Sequence, residues 1–236
     1  MLKSRDSLQY PDYPRIPHVI GVGSRMGADD IDGWLPYGQP FWEQEKVDGA
    51  NSGVSWTDEG PLFRNRSKIL RKAFDGRKDT PAKKQFTSAW NWLYEHEDDI
   101  REVIKRYQSP LTIYGEWLWA EHSLGYDKLP DWFLAYDMWD GEAQKFLSPA
   151  VVGQMLDGLN IHSIPANLIE AVQPPLVKAA IDQPSQYRDG LREGCVFKSV
   201  DSSDHVSSMF KIVRADFVRM DDEWNNRPMK RNKLKR

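Results

Sequence analysis

The chain has 236 residues, of which 40% are hydrophobic and 12% aromatic, enough to bury a core and to exclude a wholly disordered protein. No apolar run approaches the eighteen or so residues of a membrane span. Residues 1–18 carry no signal-peptide-like apolar stretch. The single cysteine, Cys195, excludes a disulfide framework or a Cys-rich zinc site and points to a reducing, cytoplasmic setting. Net charge is −3, but residues 227–236 hold six basic and no acidic side chains, leaving 26 basic against 35 acidic over residues 1–226. A basic tail on an acidic body suits a polyanion touched at one place, or a solvated end. One domain over 1–226 followed by this tail is the expected organisation.

Residues 1–40, rich in Pro, Gly and Asp, read as loops with one or two short strands such as His18–Val22. Residues 41–57 read as strand, turn, strand around a polar Asp48–Asn51 centre, and 61–66 as another short strand. Thr80-Pro81 makes a helix start. Phe86, Trp90, Leu93 and Tyr94, then Ile100, Val103, Ile104 and Tyr107, recur at helical spacing with a break near 97–99; they predict a core-facing stripe. Residues 110–119 and 132–139 predict buried strands. Residues 148–159 predict a short helix, and 167–180 one or two helical turns broken by Pro174-Pro175. Residues 193–200 and 208–214 predict the last strands. This mixture favours an α+β fold over βαβ alternation.

Chemistry first shows at Glu45-Lys46-Val47-Asp48-Gly49-Ala50-Asn51. A lysine at the end of a strand, beside an Asp-Gly turn, is a nucleophile if its amine is deprotonated near neutral pH. Burial and nearby positive charge would bring that about. Gly49 would let a ligand approach the backbone closely, and Asp48 either shapes the turn or binds metal. Alone, Lys-x-Asp-Gly is a weak signal, since most such matches in a chain this size are ordinary hairpins.

Further groups follow in order: Arg64-Asn65-Arg66-Ser67-Lys68, Tyr114-Gly115-Glu116-Trp117, Phe133-Leu134-Ala135-Tyr136-Asp137, Glu193-Gly194-Cys195-Val196-Phe197-Lys198 and Phe210-Lys211-Ile212-Val213-Arg214. This ordered set, over about residues 41–218, resembles the ATP-dependent RNA ligases, within the covalent nucleotidyltransferases that include DNA ligases and capping enzymes. The resemblance implies an ATP-grasp-like ligase adenylylation domain with antiparallel sheets flanking a nucleotide cleft. It implies an RNA-joining activity that passes through a lysyl-AMP adduct, with ATP as substrate, Mg2+ or Mn2+ as metal, RNA as partner and DNA as the alternative, in a monomer.

Roles carry over residue by residue. Lys46 is the nucleophile. Lys198 and Lys211 neutralise phosphate charge and depress the pKa of Lys46. Glu193 binds the metal and Glu116 the ribose. Tyr136 stacks on adenine with Val196 on the opposite face. Glu45 and Asn51 complete the nucleotide site. Arg66 contacts ribose or phosphate, with Arg64 its competitor and otherwise a nucleic-acid contact. The role of His122 stays open between the site and a loop. Lys230, Arg231 and Lys233 of the tail would bind nucleic acid through phosphates.

Two departures stand out. The last motif, usually Lys-x-Lys, ends Lys211-Ile212-Val213-Arg214. The oligonucleotide-binding barrel of DNA ligases and capping enzymes, roughly 80–100 residues, does not fit the 22 residues after Arg214. That, with Gly115-Glu116-Trp117 and the later His122-Ser123 and Tyr126, favours an RNA ligase over a DNA ligase core, a capping-type guanylyltransferase or a non-catalytic binding module.

Overall fold

A computed structural model describes residues 10–19, 32–33, 36–58, 60–66, 68–70, 81–217 and 229–235. In chain order these form β1 (His18–Val19), β2 (Asp32–Gly33), β3 (Phe41–Lys46), β4 (Ala50–Thr57), β5 (Gly60–Asn65), β6 (Ile69–Leu70), α1 (Pro81–Glu95), α2 (Glu97–Tyr107), β7 (Leu111–Trp117), β8 (Phe133–Asp140), β9 (Lys145–Phe146), α3 (Pro149–Leu156), β10 (Ala166–Ile169), α4 (Pro174–Ile181), β11 (Gly194–Val200) and β12 (Val206–Val213). Thr80, residues 20–22 of the expected first strand, Ser67 and the 226/227 boundary lie outside the described residues.

The strands make two six-stranded sheets, ordered β10-β3-β11-β12-β1-β2 and β6-β5-β4-β7-β8-β9. The second is antiparallel throughout. The first departs from the expected pattern at one edge, where β1 runs parallel to both β12 and β2. Period-two alternation gives each sheet an outer apolar face and an inner polar one. On the first sheet Phe41, Cys195, Phe197 and Ile212 pack under Val177, Ala180 and Ile181 of α4. On the second, Val54, Phe63, Ile113 and Trp117 pack under Phe86, Trp90, Leu93, Ile100 and Val103. The expected helical stripe is therefore core, except that Tyr94, one step round the helix, is 40% exposed. The helix breaks at His96, whose ring stacks on Trp92 at 4.3 Å. α3 starts as its Ser-Pro suggests, with Ser148 Oγ accepting from Val151 N at 3.3 Å.

Residues 41–57 form the expected strand, turn, strand, but not as a hairpin: β3 lies in the first sheet and β4 in the second, so Val47-Asp48-Gly49 is a crossing between sheets. One expectation is revised. Residues 166–169 are not helical but an edge strand paired with β3 from Ala166↔Gln44 to Ile169↔Phe41. Half-exposed Leu168 gives that strand no alternation to read.

Residues 229–235 dock on the body. Lys230 O accepts from Glu121 N at 2.9 Å, Lys233 N donates to Tyr126 O at 2.8 Å, and Lys235 N donates to Leu129 O at 2.7 Å. Among the described residues no helix is long and apolar enough to cross a membrane.

Candidate active site

The inner faces of the sheets enclose a cleft of about 550 Å³. Register builds it. Gly194 of β11 lies opposite Lys46 of β3 on one side and Val213 of β12 on the other. A side chain at Gly194 would put its Cβ 1.9 Å from Ile212 O, so only glycine lets these strands close. Glu193, just before it, is thereby brought to Lys46, whose Nζ donates to Glu193 Oε2 at 2.8 Å. Lys46, Val196, Lys198 and Lys211 all line the cleft, with Val196 directly opposite both Lys211 and Gln44.

The crossing after Lys46 is tied on every side. Asp48 Oδ2 accepts from Ser123 N at 2.7 Å and Leu124 N at 2.9 Å, and Asp48 N donates to the Tyr126 hydroxyl at 2.8 Å. Asp48 therefore shapes the turn. Gly49 serves the protein's own packing: a Cβ there would meet Leu118 Cδ2 at 2.7 Å and Trp117 O at 2.8 Å. Its N–H donates to Glu116 Oε1 at 3.1 Å.

Electrostatics overturn one expectation. Burial pushes the Lys46 ammonium down, but Glu193, Glu116 where it is ionised, and Asp48 outweigh it and hold the group above the ordinary lysine value. The nearby carboxylates win over the positive field expected of Lys198 and Lys211, so Lys46 is protonated and paired in this state. Burial, against the pull of Lys46 and helped by Asp48 and Glu193, lifts Glu116 to about 8, so at neutral pH it keeps its proton.

Lys198 is not the open phosphate clamp the motif suggests. Its side chain is 1% exposed, and its ammonium donates to Asp137 Oδ1 at 2.7 Å, Tyr136 O at 2.8 Å and Gln44 Oε1. Burial pushes its pKa down against the pull of Asp137. Tyr136 reaches the cleft through a bulge. Tyr114 pairs with Asp137 and Gly115 with Ala135, leaving Tyr136 as the extra residue, which a bulge can re-aim. Asn51 Nδ2 donates to the Tyr136 hydroxyl, and Asn51 Oδ1 is buried with no hydrogen-bond partner among the described residues.

Two assigned residues spend their polar groups on the protein itself, Glu45, which still lines the cleft, and Arg64. The Glu45 carboxylate turns to Ser185 Oγ at 2.5 Å and Gln186 N at 2.9 Å, because alternation along β3 directs it away from Lys46. Arg64 is 2% exposed, and its guanidinium is spent on Tyr10 O, Pro11 O and the Asp12 carboxylate, leaving it no face for nucleic acid. Arg66 is exposed and lines the cleft. Lys230, Arg231 and Lys233 are exposed but line no part of the cleft, and Arg231 lies over the Trp119 ring at 4.7 Å.

Tyr13 is a cleft residue that motif reading missed. The segment Arg64 holds is extended by prolines 11, 14 and 17. It lays Tyr13 against Tyr136 at 5.3 Å, with the Tyr13 hydroxyl donating to Asp137 Oδ2 at 2.6 Å. The proline spacing was the available signal for an extended strap, but nothing local says where it lands. Among the described residues, no cluster of three or more His, Cys, Asp or Glu is placed to hold a metal by protein ligands alone.

The chain is similar in fold to the Naegleria gruberi RNA ligase with PPi (22% identity, TM-score 0.57). It is also similar to substitution variants of that enzyme with ATP and Mn (20%, 0.54) and with AMP and Mn (18%, 0.53). Each match covers 75% of this chain and 50% of the other, so the chain spans about half the length of these structures. No curated protein sequence matches it. The RNA ligase family model matches residues 39–213, most of the chain and all of the cleft's motif strands from β3 to β12. The chain belongs to the RNA ligase family.

Proposed function

We propose that this chain is a nucleotidyltransferase-type adenylylation unit that joins RNA ends with ATP through a lysyl-AMP intermediate. The observation that carries this reading is the position of Lys46: an amine in a 550 Å³ cleft, 2.8 Å from a buried carboxylate, with Lys198 and Lys211 also lining that cleft. Family membership supports it, as do the ATP, AMP and PPi complexes of the Naegleria enzyme.

In the first step the Lys46 ammonium releases one proton to solvent, the resulting amine attacks the α-phosphorus of ATP, and the nitrogen releases its second proton to the leaving pyrophosphate or solvent. A P–N bond forms, the bond to the bridging oxygen breaks, and pyrophosphate leaves. In the second step an oxygen of an RNA 5′-phosphate attacks the same phosphorus, and the P–N electron pair returns to Lys46. In the third the 3′-hydroxyl attacks the RNA 5′-phosphorus, loses its proton, and AMP leaves. Positioning and charge neutralisation dominate such chemistry. Tyr136 offers its face and Val196 its side chain to adenine. Asn51 Oδ1 has acceptor capacity to offer a ligand N–H or O–H. Protonated Glu116 can donate to a ribose oxygen. Lys211 meets phosphate, Lys198 adds its field from behind, and Arg66 takes the incoming phosphate at the rim.

Glu193 suits Mg2+ or Mn2+ as a hard oxygen donor, with nucleotide oxygens and water completing the shell. Such a cation, when bound, neutralises triphosphate charge. A cation held there would compete with Lys46 Nζ for the Glu193 carboxylate. The exposed Lys230, Arg231 and Lys233 add phosphate contacts that position RNA without reading its sequence. A cytoplasmic monomer completes the reading.

The test offers nicked duplexes and single strands, in RNA and in DNA, with ATP or GTP and magnesium. Joined RNA with ATP is expected. Joining of DNA alone, dependence on GTP, or no joined product would overturn the reading.

A further inference from the structure

A buried polar side chain that this chemistry does not use is Asn232. It is 4% exposed, inside an otherwise exposed basic stretch. Its Nδ2 donates to Leu118 O at 2.7 Å and Ala120 O at 3.1 Å, and its Oδ1 accepts from Tyr126 N at 2.8 Å. Its own N–H donates to Trp119 O at 3.2 Å. One asparagine thus ties both ends of the loop running from 118 to 126.

The same loop holds the crossing beside Lys46 from its other side. The Tyr126 hydroxyl accepts from Asp48 N, and Ser123 N and Leu124 N donate to the Asp48 carboxylate. Tyr126 is 2% exposed and packs among Val47, Leu118 and Leu129, so its ring does not swing independently. Two hydrogen bonds separate Asn232 Oδ1 from the backbone of Asp48, by way of Tyr126 N and the Tyr126 hydroxyl. Flanking contacts brace the segment: Arg231 lies over Trp119 at 4.7 Å and Trp132 at 5.4 Å.

We infer that Asn232 is a positioning residue for the Lys46 nucleophile: it locks the 118–126 loop, which fixes Asp48 and through it the lysine's line of approach. The inference rests on the adenylylation reading above. It revises the tail's expected role. Lys230 and Lys233 are exposed, Arg231 lies over Trp119, and Asn232 is buried against the 118–126 loop. Positioning of a reacting group to within an ångström is worth about a hundredfold in rate.

The test compares full-length wild type, Asn232→Ala and Tyr126→Phe. The second substitution keeps the buried ring and removes only the hydroxyl that accepts from Asp48. Amide hydrogen exchange is read over residues 46–50 and over α3 as a remote reference, and single-turnover adenylylation is measured against ATP concentration. Expected are faster exchange at 46–50 with α3 unchanged, and a rate at saturating ATP about ten- to a hundredfold lower with little change in the half-saturating ATP concentration. The double variant should be no slower than the slower single one, since both act along one path.

Wild-type exchange and rates in both variants would overturn the inference, as would acceleration spread equally to α3. If Asn232→Ala does not fold, Tyr126→Phe decides by the same criteria. If wild type forms no adduct, the functional reading fails, while exchange at 46–50 still judges whether Asn232 fixes the loop.

Discussion

Replacing Asp137 by Asn isolates the buried charge pair beneath the cleft. Lys198 and Asp137 have side chains 1% and 0% exposed, 2.7 Å apart. The substitution keeps the shape and one acceptor oxygen but removes the countercharge. Breaking a buried pair from one side costs about 3–5 kcal/mol, because it strands the other charge. Tyr136 O and Gln44 Oε1 still accept from the ammonium, which puts the expected loss near the lower end, about 3 kcal/mol. That is a large part of the roughly 5–15 kcal/mol by which domains are stable.

The loss carries a pH signature. Burial already holds the Lys198 pKa below its ordinary value, with Asp137 opposing, and removing Asp137 lowers it further. The folded variant then binds fewer protons than the unfolded chain from that depressed value up to the ordinary lysine range near pH 10.4. Its stability therefore rises with pH, and the deficit against wild type shrinks. Urea unfolding at pH 7 and pH 9 measures both, and Lys198→Met in the same background should recover much of the loss. A deficit below about 1 kcal/mol at pH 7, or one that grows with pH, would refute the stranded-charge reasoning.

Gly194→Ala should cost about 3 kcal/mol or more, seen as a lower denaturation midpoint, since its Cβ would sit 1.9 Å from Ile212 O and push β11 off β12. Glu116→Gln tests the raised carboxyl. The folded protein keeps that proton to about 8 while the unfolded chain loses it near 4.5. Wild-type stability should therefore fall as pH rises through that window, and the Gln variant should lose this slope in Tm between pH 6 and pH 9. Arg64→Ala should cost about 2–4 kcal/mol by removing charged hydrogen bonds to Tyr10, Pro11 and Asp12. It should also speed proteolysis within residues 10–17; unchanged cleavage would mean that Arg64 does not hold the strap.

Strands β3, β7, β8, β11 and β12 were legible because each alternates or runs apolar between turn residues. The helical stripe was legible because Phe86, Trp90, Leu93, Ile100 and Val103 repeat at helical spacing. The residues of the chemistry were legible as ordered motifs, and the structure brings Lys46, Glu116, Tyr136, Glu193, Val196 and Lys211 to one cleft. What was not legible depends on contacts distant in sequence. Asp-Gly reads alike in a hairpin and in a crossing between sheets, and only the pairing of β3 with β11 decides. The protonation of Lys46 depends on Glu193, 147 residues away. Arg64 and Arg66 look interchangeable until residues 10–12 are seen to cover the first. Asn232 lies in a run whose composition signals only charge, and its burial depends on a loop more than a hundred positions earlier.

The most direct test of the central claim is where AMP attaches. The protein is incubated with ATP and magnesium and digested, and the adduct is located by peptide mass spectrometry, in wild type and in Lys46→Arg. Arginine keeps the charge but stays protonated and does not attack phosphorus. The account predicts a single AMP, bonded through nitrogen to Lys46, and none in the arginine variant. AMP on another residue, or undiminished adduct in Lys46→Arg, would contradict it.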